Sequence, residues 1–69
     1  MQSNAYWIIS EVTEDRFDKT DNLADAIRIA RTLVRESRAG DPIAIEHQGR
    51  VIRQLVLLPD GRVSEEETR

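Results

Sequence analysis

Asn22-Leu23-Ala24-Asp25-Ala26-Ile27-Arg28-Ile29-Ala30-Arg31-Thr32-Leu33-Val34-Arg35-Glu36-Ser37-Arg38 is the stretch on which the fold of this 69-residue chain turns. Leu23, Ala26, Ile27, Ala30, Leu33 and Val34 recur at i, i+3, i+4, i+7, i+10 and i+11. That is the apolar stripe of a helix packed on a core. Asp21 or Asn22 suits the N-cap, where a side-chain oxygen accepts from a free backbone N–H. Asp21 and Asp25 sit at the positive end of the macrodipole, and Arg35 and Arg38 at the negative end. Gly40 suits a left-handed C-cap and Pro42 cannot continue a helix, so the helix is expected to end near Arg38.

On the N-terminal side, residues 5–13 are rich in aromatic and β-branched types and read as a strand. Alternation puts Trp7 and Ile9 on one face and Tyr6, Ile8 and Val12 on the other. Residues 14–20 read as a polar connection with a short extended piece around Phe17, the natural plug for the end of the core. On the C-terminal side, residues 42–58 read as a hairpin turning at Gln48-Gly49, where glycine tolerates positive φ. A two-residue turn sets Ile45 opposite Ile52 and Ile43 opposite Gln54. It turns Ile43, Ile45, Ile52 and Val56 inward and leaves Val51, Leu55 and Leu57 outside. Pro59-Asp60-Gly61 signals another turn, and Arg62-Val63 adds at most a short fourth strand. The fold expected is α+β: a small β-α-β-β sheet with one amphipathic helix on one face. The strands flanking the helix should run parallel, with the last long strand central and the first beside it. Residues 1–63 form one domain, and 64–69 a disordered charged tail.

A domain of this size buries only about 60% of its unfolded surface. Small domains therefore lean on staples or association. There is no cysteine, and His47 is the only histidine, which argues against disulfides and structural zinc. The first residues have no basic segment followed by an apolar run, and no run approaches the ~20 apolar residues of a membrane span. A cytoplasmic protein with no membrane association is the expectation.

The net charge of −3 is unevenly placed. Residues 11–25 hold six acids against Arg16 and Lys19. Residues 26–63 hold seven arginines against four acids, and Glu65, Glu66 and Glu67 face only Arg69. Overall acidity argues against a dedicated nucleic-acid binder. Even so, Arg28, Arg31, Arg35 and Arg38 line one flank of the helix, with Arg50 and Arg53 on the sheet. They are either a ladder for phosphates or a solvated face satisfied by acids from the sheet. The helical wheel sets Asp25 and Glu36 on the opposite flank.

No catalytic, metal or cofactor site is expected. His47 has no nucleophile with a claim on it and reads as a strand-end histidine. Asp15, Asp18 and Asp21 lack the alternate spacing and glycine of a calcium loop. Gly40, Gly49 and Gly61 are isolated turn residues, and no phosphate-cradling loop is present.

The run Thr20-Asp21-Asn22-Leu23-Ala24-Asp25-Ala26-Ile27-Arg28-Ile29-Ala30-Arg31 resembles the helix start of short bacterial strand–helix–hairpin proteins of unknown function. More remotely it resembles that of HicB-type antitoxins. The likeness spans residues 6–54 and implies an architecture. The full hairpin with a glycine-bearing turn that precedes the antitoxin helix is not legible here, nor is a DNA-binding segment after the sheet, so no functional residue is carried over. The function expected is a non-enzymatic protein-interaction module, homodimeric through Val51, Leu55 and Leu57. The alternative is nucleic-acid binding through Arg28, Arg31, Arg35, Arg38, Arg50 and Arg53.

Overall fold

A computed structural model describes residues 4–37 and 41–68. In chain order the elements are β1 (Tyr6–Ser10), β2 (Arg16–Thr20), α1 (Leu23–Glu36), β3 (Ile43–His47), β4 (Arg50–Leu57) and β5 (Val63–Glu67). The strands form one antiparallel sheet in the order β2-β1-β3-β4-β5. The helix packs on one face of it, so the α+β class and the single amphipathic helix hold.

The helix starts where its cap allows. Asn22 is extended (φ −131°), and its side-chain oxygen accepts from the Asp25 N–H at 3.2 Å. At the other end the Ser37 N–H closes on the Leu33 carbonyl at 2.9 Å. The helix therefore stops at Glu36, with Ser37 already extended, two residues short of the expected Arg38, while the expected cap at Gly40 lies outside the described residues. Ala26, Ala30 and Val34 are fully buried against Ile8, Ile43, Ile45 and Leu55, with Leu23, Ile27, Ile29 and Leu33 packed around them. Two alanines at the centre of the stripe bring the helix axis close to the sheet.

Four expectations are corrected. The first concerns the segment before the helix. The chain reverses there: residues 11–15 turn, and β2 runs back along β1. The turn is built on Ser10, whose carbonyl accepts from Glu14 N–H at 2.8 Å and whose hydroxyl accepts from Val12 and Thr13 at 3.2 Å. Glu14, not a glycine, takes the positive φ (63°) of this turn. A hairpin therefore does precede the helix. Because of that reversal β1 runs antiparallel to β3, and it lies between β2 and β3.

Secondly, Phe17 does not plug the core. Ile8 pairs with Asp18 and Ile9 with Arg16, so Phe17 is the extra residue of a β-bulge and is 49% exposed.

Thirdly, residues 64–67 are not a loose tail. They continue from Val63 as an edge strand, in register with β4 from Leu57↔Val63 to Arg53↔Glu67.

Fourthly, the β3–β4 register differs. The turn at Gln48-Gly49 is present, with φ of 54° and 76°. Glu46 pairs with Val51 but Ile45 pairs with Arg53, so Ile52 is an inserted bulge residue. Period two means that one inserted residue exchanges the faces beyond it. Ile43 therefore faces Leu55 rather than Gln54. Leu55 is fully buried and Leu57 packs on the core.

Candidate interaction surface

Alternation along each strand leaves a second face, turned away from the helix. Tyr6, Ile8, Ile43, Ile45, Leu55 and Leu57 belong to the core side. Their neighbours Trp7, Ile9, Ala44, Glu46, Gln54 and Val56 therefore point the other way, as does Val51, the partner of Glu46. Trp7, Ile9, Val51 and Val56 are half-buried, and none of them belongs to the core cluster.

Pairing arranges this outer face in rows across the strands. One row runs Arg16–Ile9–Ala44–Gln54–Glu66, through all five strands. The next runs Lys19–Trp7–Glu46–Val51. Ala44 sits at the middle of the first row and is fully buried with no helix above it, because its row neighbours close over so small a side chain. Gln54 is held by donating from its amide to the Glu11 carboxylate.

At the β2 edge the cations gather on the tryptophan. The Arg16 guanidinium carbon lies 4.5 Å and the Lys19 ammonium 5.3 Å from the Trp7 ring centroid, both within cation–π range. Arg16 also reaches Glu46 at 3.8 Å. Ile9, Glu14, Arg16 and Glu46 line an open depression there. At the opposite edge β5 contributes Ser64 and Glu66 to this face. The face mixes Trp7, Ile9, Val51 and Val56 with Glu46 and Gln54, between Arg16 and Lys19 on one margin and Glu66 on the other.

Of the residues expected at a partner surface, Val51 is on this face. Leu55 and Leu57 are not: the bulge at Ile52 turns them under the helix. Trp7, Ile9, Ala44 and Val56 take their place. The signal for Trp7 and Ile9 is present in the two-sided apolarity of β1, whereas Val56 is hidden by the register.

The arginines are largely satisfied from within. Arg31 binds Glu65 of β5 through Nε at 3.3 Å and Nη2 at 2.9 Å. Arg53 donates to the Ile52 carbonyl at 2.9 Å and lies 3.8 Å from Glu67. Arg28 lies 3.6 Å from Asp25, one turn back, so Asp25 is not on the opposite flank. Arg35 and Arg50 are exposed. Arg50 lies in the row of His47, Tyr6 and Thr20, where the helix begins. Arg35 lies roughly 18 Å along the helix axis from that end, so the two do not form one patch. Arg38 is outside the described residues.

His47 stacks on Tyr6 (centroids 4.1 Å apart, planes at 10°), and its Nδ1 is 3.2 Å from the Ala5 carbonyl. Among the described residues no cluster of three or more His, Asp or Glu is placed to hold a metal ion. No described helix is long and apolar enough to cross a membrane. Compared with family models, with curated proteins and with solved structures, the chain matches none of them.

Proposed function

We propose that this protein is a non-enzymatic interaction module that pairs with a second copy of itself through the sheet face opposite the helix. The observation that carries the reading is the half-buried apolar set Trp7, Ile9, Val51 and Val56 around a flat, fully buried Ala44. One helix serves five strands, and it lies on the other side. The face interleaves these apolar groups with Glu46 and Gln54 inside a charged rim, the mixed make-up of a protein contact. Nucleic-acid binding through the arginine flank is the weaker reading, because Arg28, Arg31 and Arg53 already face carboxylates.

The test is mass by light scattering over a concentration series, with emission from the single tryptophan as a local probe. Association should raise the mass and shift the Trp7 emission to the blue at the same concentrations. Val51→Lys with Val56→Lys should abolish both changes while preserving the helical circular dichroism. The lysine introduced at position 51 would stand opposite Glu46, so the sheet tolerates it. A wild-type chain that stays monomeric to millimolar concentration, with unchanged emission, sinks the proposal.

A further inference from the structure

Resting on that reading, we infer that the two copies meet about a two-fold axis running along β3, so that β2 of one copy lies over β5 of the other and Arg16 faces Glu66 of its partner. The row Arg16–Ile9–Ala44–Gln54–Glu66 carries the argument. It is positive at one end, negative at the other, and has its smallest side chain in the middle. Strands are about 4.8 Å apart, so its charged ends are ~19 Å from each other. Rotation about β3 lays this row on its own reverse. Arg16 then meets Glu66 twice and Ile9 meets Gln54 twice, with the axis passing over the covered Ala44. In the adjacent row Trp7 meets Val51. Ala44, already closed over by its neighbours, leaves the middle of the row flat, which suits the ~10 Å spacing of aligned sheet packing.

The other in-plane axis, perpendicular to the strands, stacks each strand on itself. It sets Arg16 against Arg16 and Glu66 against Glu66, which is unfavourable at both margins. The axis along β3 has one like-charged meeting, Glu46 with its own copy. Each Glu46 is already paired with Arg16 at 3.8 Å. The acid Glu11, tied to Gln54, lies beyond the row towards the Val56 end.

The size of the face sets the strength. Five strands by five residues give a footprint of roughly 19 by 17 Å. That is well below the ~800 Å² per partner of a standard interface. A contact of this size is weak and transient, and it should be sensitive to salt, since the Arg16–Glu66 contacts lie at the rim.

The experiment uses single charge reversals and their mixture, read by sedimentation equilibrium at low salt. Arg16→Glu alone and Glu66→Arg alone should each weaken the dimer about tenfold or more, because each places like charges at both margins. An equimolar mixture of the two variants should associate more tightly than either alone, by about tenfold or more, but short of wild type because one copy lacks its Arg16–Glu46 pair. In that heterodimer the glutamate introduced at position 16 meets the arginine introduced at position 66, and the native Arg16 and Glu66 meet at the other margin. Matching circular dichroism spectra exclude unfolding as the cause. If the wild-type chain dimerises but the mixture does not recover, the axis is wrong and the surface reading stands. If the wild-type chain does not associate at all, both fail.

Discussion

Asp60 shows how much one side chain does in a turn that looks merely punctual. Its carboxylate accepts from the Arg62 backbone N–H at 3.0 Å and from the Arg62 guanidinium at 2.6 Å. These bonds, the backbone one foremost, hold its pKa below the ordinary 3.8. A depressed carboxylate pKa means that the folded state favours the ion. The stabilisation is therefore present above the unfolded value and is lost as pH falls through the folded one. Asp60→Asn keeps an acceptor and drops the charge. Urea midpoints of the wild-type chain and this variant should differ by a constant amount above the ordinary carboxylate range and converge as the pH falls below it. Asp60 and Gly61, which takes φ 90°, are recognisable as a turn from residue type alone. The ion pair is not, because a turn signal does not say which neighbour the carboxylate will take.

At the scale of the element, β4 limits how far the chain can be read. Its apolar run lacks strict alternation, so two registers compete. A regular hairpin would turn Ile52, Gln54 and Val56 to the helix. The bulge at Ile52 instead offers Ile52, Leu55 and Leu57, and leaves Gln54 outside to bind Glu11. Full burial of a leucine contributes about 1.5–3 kcal/mol, and a buried unsatisfied amide costs about 1–3 kcal/mol. Both terms favour the bulge, and neither appears in a count of residues around a turn. Leu55→Ala should therefore cost about 2–5 kcal/mol in urea unfolding, where an outward-facing Leu55 would cost well under about 1 kcal/mol. The helix is legible throughout, because its period, its cap at Asn22 and its apolar stripe all agree. Of β2 only a short extended piece around Phe17 is legible, because an edge strand with both sides exposed needs no apolar alternation. β5 escapes it for a related reason: Glu65 and Glu67 read as solvating charges, yet they alternate towards Arg31 and Arg53 and fasten the strand.

For the whole molecule, the candidate surface is legible in kind but not in its residues. Charge asymmetry between acidic ends and a basic middle is plain in the chain. The fold neutralises much of it internally, by laying the acidic β5 beside the arginines of α1 and β4. On the sheet face away from the helix, Arg16 and Lys19 of β2 and Glu66 of β5 flank a strip in which Trp7, Ile9, Val51 and Val56 alternate with Glu46 and Gln54. These two margins carry a hazard as well as a use. Opposite charges on the two open edges of one sheet invite β2 of one molecule to hydrogen-bond to β5 of the next, and that contact repeats without closing. The bulge at Phe17 breaks the even spacing of N–H and C=O groups along β2, so an incoming strand finds no continuous template. Deleting Phe17 would restore that spacing opposite Ile8 and Ile9. The shortened chain should then elongate into thioflavin-positive fibres at concentrations where the parent stays clear. The irregularity in β2 is thus a chain terminator, and it separates a chain that stays discrete from one that polymerises.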